Sequence, residues 1–282
     1  MKKSKSKFVG VLGGGGRESA FIESLLSDSS VETIFVFHPN GGFANEPRVH
    51  KLTLASGTSS EIVKLCKKNE ITLVLSGPEA MAIEGVNDAL IKAGVSVLGA
   101  SAKAIQIESD KSWAREFMQK IGLPQPEYLS FTDSKEAIKA ATENEKLRVV
   151  KAIGPALGKG VIVCDTLADV KKGIKTILVD QKFGDAGKKV VLEERLGWND
   201  PDAQEISVMF YCDGHQLLAL PLAQDYKREN DGDQGENTGG VGSHTSPNIL
   251  SAKSSSFTQA FVRISRFLGW NLLTRLSLSF EA

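Results

Sequence analysis

The sequence is poor in the features that mark most specialised protein classes. Its three cysteines, Cys66, Cys164 and Cys212, are odd in number, far apart and set among apolar residues. That pattern speaks against a disulfide framework or a thiolate metal site and for buried free thiols in a reducing cytosol. No apolar run approaches the ~20 residues that a membrane-spanning helix needs. Neither sign of charge is in excess, with 34 Lys+Arg against 34 Asp+Glu, so neither nucleic acid nor a membrane surface is an expected partner. The one basic run, Lys2, Lys3, Lys5 and Lys7, is interleaved with serines and reads as a solvated terminus. The apolar stretch behind it is cut at once by glycines, unlike a signal peptide, and a cytoplasmic location is expected. There is no internal repeat.

What is present is an ordinary core-forming composition, 41% hydrophobic over 282 residues, which is long enough for more than one domain. The first hundred residues alternate apolar runs with helical patterns: Phe8–Leu12, a helix through Ala20, Phe21, Leu25 and Leu26, then Ile34–Phe37. Glu61–Lys68, Ile71–Leu75, Val86–Ala93 and Val95–Leu98 continue the alternation, which predicts α/β organisation with a parallel, doubly wound, Rossmann-like sheet. The character changes near Ser101. Lys103–Gly122 reads as one or two helices, stopped by Gly122 and the prolines that follow. Val149–Ala152, Val161–Cys164 and Val190–Glu194 read as strands around a helix Leu167–Val179, an α+β unit with helices on one face. Ile206–Tyr211 and Gln216–Leu220, joined by Asp213-Gly214, predict a hairpin. Asp225–Gly242 is expected to be a long polar loop.

Five segments carry the chemistry. Gly13–Gly16 with Arg17 and Glu18 falls where the first strand turns into the first helix. It reads either as a ligand-free tight turn or as a phosphate site, and Arg17 inclines it to the second. Ser76-Gly77-Pro78-Glu79 follows another strand on the same sheet edge, and alone it reads as a surface turn. Gly154–Gly160, with Lys159, joins two strands and so is not a P-loop. It reads either as a glycine-rich flap over phosphates, with Lys151 on the preceding apolar strand needing an anionic partner, or as an ordinary hairpin tip with a snorkelling lysine. Lysine and glycines together incline it to the first. The carboxylates Glu193 and Glu194 end a strand, which suits either an adenine and ribose or a plain charged terminus. Asp225, Lys227 and Arg228, followed by Asn237–Gly240, form the richest polar constellation.

Taken in order, GGGGRE, SGPEA, SDKSWAREFM, VVKAIGPALGKGVIV, KFGDAGKKVVLEERL, QEISVM, LALPLAQDYKR and ENTGGVG span about residues 8–247. Together they resemble the phosphoribosylamine–glycine ligase family of the ATP-grasp superfamily. The resemblance implies a Rossmann-like N-terminal domain over 1–107 and an incomplete α+β ATP-grasp fold, its small subdomain over 108–195 and the start of its core over 196–250. It implies ATP-dependent ligation of glycine to 5-phosphoribosylamine through an acyl phosphate, with ATP and Mg²⁺ or Mn²⁺ as cofactors. A multifunctional purine-synthesis polypeptide is an expected parent or partner.

Carried over residue by residue, Gly14, Gly15, Gly16, Arg17, Glu18, Gly77, Pro78 and Glu79 face phosphoribosylamine. Lys111, Lys151, Gly158, Lys159, Gly160, Glu193 and Glu194 match the ATP site. Asp225, Lys227 and Arg228 fall in the catalytic role, with Asn237, Thr238, Gly239 and Gly240 around glycine and product phosphate. Ser19, Tyr226, Pro155, Leu157 and Glu236 depart from the family's pattern. So does the tail 251–282, where the family's metal-ligand segment is expected and no metal ligand is assigned. This reading expects a C-terminally truncated chain with little or no ligase activity. The alternatives are a non-catalytic nucleotide- or phosphoribosylamine-binding module, or another ATP-grasp ligase, against which GGRE, QDYKR and NTGG argue.

Overall fold

The computed structural model describes residues 7–154, 160–197, 206–212, 217–232 and 234–245. Within the chain, one compact unit ends at Ser109 and a second begins at Asp110.

The first unit runs β1 (Lys7–Leu12), α1 (Gly16–Ser27), β2 (Val31–Phe37), β3 (Val49–Leu52), α2 (Ser59–Lys68) and β4 (Leu73–Ser76). It continues with α3 (Glu79–Ile83), α4 (Val86–Lys92), β5 (Ser96–Leu98) and α5 (Gln106–Ser109). Its five strands are ordered β3-β2-β1-β4-β5 and every pairing is parallel. Period-2 alternation splits the apolar side chains between two faces. Val9, Val11, Ile34 and Val36 pack with Ile22 of α1 on one face. Leu12, Phe37 and Val74 pack with Ile62 and Cys66 of α2 and Leu90 of α4 on the other. That two-sided burial is why the strands read as continuous apolar runs. Strand order reverses at β1, between β2 and β4, so the loops after β1 and β4 share the crevice at the sheet's carboxyl edge. The sequence did not reveal β3, a partly exposed edge strand of composition VHKL.

The second unit begins with α6 (Lys111–Lys120), β6 (Tyr128–Phe131), α7 (Ser134–Glu143), β7 (Leu147–Ala152), β8 (Val161–Val163), α8 (Leu167–Ile174) and β9 (Val190–Glu194). Its antiparallel sheet has the order β6-β9-β7-β8. One face is dry: Val150, Ala152, Val190 and Leu192 pack against Ala137 and Ala141 of α7 and Val170 and Ile174 of α8. Because side chains alternate, Lys151, Val191 and Glu193 fall on the opposite face.

Three expectations need correction. The helix predicted over Leu167–Val179 is α-helical only to Ile174 and then widens into a π-type turn, Lys175–Val179. The long loop expected over Asp225–Gly242 is an antiparallel ribbon, β12 (Gln224–Asn230) with β13 (Gln234–His244). Its glycines permit the two register shifts and the positive φ of Gly232, Gly235 and Gly240, so they bend the ribbon rather than end it. Of the cysteines, Cys66 and Cys164 are buried, and burial pushes both thiols up to about 11. Cys212 is exposed instead, at the end of the short strand β10 (Phe210–Cys212) that pairs with β11 (Leu217–Ala219). These two strands are shorter than the hairpin predicted, and its Asp213-Gly214 turn lies outside the described residues.

Candidate functional site

In the first unit the two predicted loops meet around one carboxylate. Gly14 lies so close to the next loop that a Cβ on it would sit 2.3 Å from the His38 carbonyl oxygen. Glu18, in the first turn of α1, accepts from the Gly15 N–H at 2.7 Å and pairs with Arg17 Nε at 3.0 Å. A Cβ on Gly77 would fall 1.6 Å from Glu18 Oε1, so only glycine lets the second loop pass over this carboxylate. Glu18 is only 4% exposed. It therefore braces the two loops that the resemblance assigns to phosphoribosylamine. Arg17 also reaches Glu79 Oε1 at 3.5 Å, keeping its half-exposed guanidinium at the crevice mouth. Asn40 went unnoticed in the sequence: its Nδ2 donates to the Gly14 carbonyl at 2.8 Å and to Ser19 Oγ at 3.0 Å. A small, mostly apolar cavity of about 10 Å³ lies behind the first loop, lined among others by Gly13, Gly14, Ile22, Val36, Asn40 and Phe43. Pro78 precedes α3 as its cap residue, and Gly16 begins α1.

In the second unit a buried carboxylate gathers cations on the polar face of the sheet. Glu193, 2% exposed on the inner strand β9, receives Arg115 Nε at 2.7 Å and Nη2 at 2.8 Å. Lys151 Nζ reaches its Oε2 at 2.5 Å. The anion that Lys151 was expected to need is therefore supplied first by the protein itself. Lys189 Nζ donates to Ser112 Oγ at 2.5 Å, and Lys111 Nζ to the Gly154 carbonyl at 3.0 Å. Two cations thus converge on the one carboxylate of Glu193, while Ser112, which accepts from Lys189, donates to Glu116 at 3.4 Å. Lys111 ties α6 to Gly154 at the start of the glycine-rich segment. Gly158 and Lys159 lie outside the described residues, while the Gly160 carbonyl accepts from Ala152 N–H at 2.8 Å.

The backbone around Glu193 and Glu194 is largely spent on the sheet. The Glu194 N–H donates to Glu127 at 2.8 Å and the Arg195 N–H to Lys146 at 3.0 Å. Arg115, Ser112 and Lys189 were missed because their partners lie 77 or 78 residues away. The available signal was Lys111 and Arg115 four apart on one helix, which places them on one face.

The third constellation lies on the ribbon. Lys227 Nζ is 3.5 Å from Asp225 Oδ2, and Asp225 Oδ1 is buried without a hydrogen-bond partner. Arg228 is in register with Asn237, and its guanidinium donates to the Gly235 carbonyl. Thr238 Oγ1 donates to the Lys227 carbonyl at 2.9 Å and accepts from Gly240 N–H at 3.0 Å. This pairing brings Asp225, Lys227, Arg228, Asn237, Thr238, Gly239 and Gly240 onto one two-stranded element. Tyr226 stacks on His244 with ring centroids 5.8 Å apart.

A doubly wound N-terminal unit, followed by an antiparallel sheet with helices on one face and a cationic cluster on the other, defines an ATP-grasp protein. Residues 7–108 match the N domain of phosphoribosylglycinamide synthetase, and residues 109–264 match its ATP-grasp (A) domain. The chain belongs to the phosphoribosylglycinamide synthetase family. It is 37% identical over 235 residues to a phosphoribosylamine–glycine ligase of Vibrio vulnificus, covering 83% of this chain and 54% of that one. It is 38% identical over 236 residues to a trifunctional purine biosynthetic protein of Gallus gallus, covering 83% of this chain and 23% of the relative. A crystal structure of the Thermotoga maritima phosphoribosylamine–glycine ligase superposes with a TM-score of 0.68 at 25% identity, over 93% of this chain and 60% of that chain. The chain spans about half the length of the bacterial ligases it matches. No helix among the described residues is long and apolar enough to cross a membrane.

Proposed function

We propose that this chain supplies nucleotide- and amine-binding parts for ATP-dependent ligation of glycine to 5-phosphoribosylamine, giving glycinamide ribonucleotide. In that reaction a glycine carboxylate oxygen takes the γ-phosphoryl group, releasing ADP. The amine nitrogen then attacks the acyl carbon, inorganic phosphate leaves with the C–O bonding pair, and the nitrogen loses a proton. Lys111, Lys151 and Lys189 hold phosphate oxygens, with Gly158, Lys159 and Gly160 as the covering flap. Glu194 and the chain beyond it face the nucleoside. Arg17 and the loops of Gly14–Gly16 and Gly77–Glu79 take the phosphoribosylamine. On the ribbon, Asp225 orients an amine through its unpartnered oxygen, while Lys227 and Arg228 stabilise negative charge on the acyl phosphate and the tetrahedral intermediate. Asn237–Gly240 close around the product phosphate.

A divalent cation would neutralise the transferring phosphate. Among the described residues no three His, Cys, Asp or Glu gather as a metal site, so no step is assigned to one. The family's occurrence within a trifunctional protein supports a multifunctional purine-synthesis polypeptide as parent or partner.

The observation that carries the reading is the meeting of two cations, Arg115 and Lys151, on the one buried carboxylate of Glu193, on the sheet face opposite α7 and α8. Charge-assisted hydrogen bonds are worth about 1.5–3 kcal/mol each, so Lys151→Ala should weaken ATP binding roughly ten- to a hundredfold. Calorimetric titration of the full chain measures this, and an unchanged dissociation constant refutes the assignment. ATP binding with no glycinamide ribonucleotide formed would identify a non-catalytic binding module.

A further inference from the structure

We infer that Arg115 is a positioning residue whose grip on Glu193 frees Lys151 to exchange that carboxylate for a ligand phosphate. The inference rests on the nucleotide reading above and deepens it.

The geometry is unequal. Arg115 takes both oxygens of Glu193 through two nitrogens, at 2.7 and 2.8 Å, whereas Lys151 takes only Oε2, at 2.5 Å. A planar guanidinium fork fixes a carboxylate in one orientation, while an ammonium on a four-carbon stem is a movable point charge. The Glu193 side chain is only 3% exposed. If Lys151 were its sole counter-ion, moving the ammonium to a phosphate would strand a buried carboxylate, at a large desolvation penalty. With Arg115 in place the carboxylate stays neutralised, and Lys151 can leave. The Arg115 side chain is itself enclosed, only 15% exposed. Nothing in this arrangement requires Arg115 to touch the nucleotide.

The test is a double-mutant cycle in the full chain: Arg115→Met, Glu193→Gln and both together, with ATP affinity by calorimetry and folding by thermal melts. Arg115→Met should weaken ATP binding roughly tenfold, because Lys151 is then locked on Glu193. Adding Glu193→Gln to that variant should restore affinity to within about threefold of Glu193→Gln alone. Loss of similar size in both backgrounds would mean that Arg115 contacts the nucleotide, and no loss in either would mean that it only packs; each result overturns the inference. Should Arg115→Met not fold, Arg115→Lys replaces it, since one ammonium cannot grip both oxygens, with a smaller loss and the same rescue expected.

A second measurement needs no ligand. Acylation of Lys151 by an amine-reactive ester, followed by mass spectrometry, should be slower by about threefold or more in Arg115→Met than in wild type. Equal or faster labelling overturns the inference. If wild type shows no affinity for ATP but Lys151 labelling still slows, the nucleotide reading fails and the coupling of Arg115 to Lys151 stands.

Discussion

The carboxylate of Glu61 accepts from the backbone N–H groups of Ala55, Ser56 and Gly57 at 2.7, 2.8 and 2.9 Å, and from Ser56 Oγ at 2.8 Å. These bonds, the Ala55 N–H first, favour the charged form and hold its pKa down to about 2. The folded-state value is depressed, so between about 2 and the ordinary carboxylate range the unfolded chain binds more protons. The stabilisation is therefore complete above that range and disappears as pH falls toward 2. Glu61→Gln should flatten the acid limb of a stability-versus-pH curve measured by denaturant unfolding while leaving its shape near neutrality unchanged. An acid limb as steep as in wild type would contradict the assignment. Chemistry at this scale was only half legible. Lys151 on an apolar strand announced an ion pair, but the identity of its partner depends on β7 and β9 lying side by side. Glu18 stood next to a glycine run, but the packing of Gly77 over it is a long-range fact that no local signal carries.

Helices and strands were legible where local signals agreed with burial. β1, β2, β4 and β9 are short runs dominated by apolar and β-branched residues and mostly buried, each paired with a neighbour on both sides. β3 and the ribbon of β12 and β13 were not, because pairing rather than side-chain burial defines them. Their residues are mostly polar or glycine, as edge and two-stranded elements allow. The end of α8 misled for a different reason. Apolar periodicity continues through Ile177, which is fully buried, although the backbone has already widened into a π-type turn. The helix α7 depends on its cap: Asp133 accepts from the Lys135 and Glu136 N–H groups at 2.8 and 2.9 Å. Its inner face offers the core only alanines, Ala137 and Ala141, with Ile138 partly buried beside them. With so little apolar area, the cap is a large share of what holds α7. Asp133→Ala should cost about 1 kcal/mol by urea unfolding, the usual worth of such a cap. A change below a few tenths would show that packing alone sets the helix start.

Across the whole chain, each unit carries its own apolar core, and the proposed ligand groups divide between them. Arg17 belongs to the first unit, where its partners are Glu18 and Glu79; Lys151 belongs to the second, where its partner is Glu193. The two residues share no hydrogen-bond partner and no core cluster, which is the condition under which energetic effects add. Arg17→Ala should therefore weaken binding of glycinamide ribonucleotide, the phosphate-bearing product of the proposed reaction, by roughly tenfold or more. It should leave ATP affinity within about twofold of wild type. Lys151→Ala should show the reverse pattern, and the double variant should show both losses summed to within about 0.5 kcal/mol. Titration of each ligand against wild type, both single variants and the double variant measures all three quantities. Equal loss of both ligands in Arg17→Ala would mean that Arg17 acts by bracing the loops through Glu18 and Glu79. In that case melting of the first unit would shift with the substitution, whereas removing a half-exposed guanidinium that serves only to hold the ligand leaves the ligand-free melting curve in place.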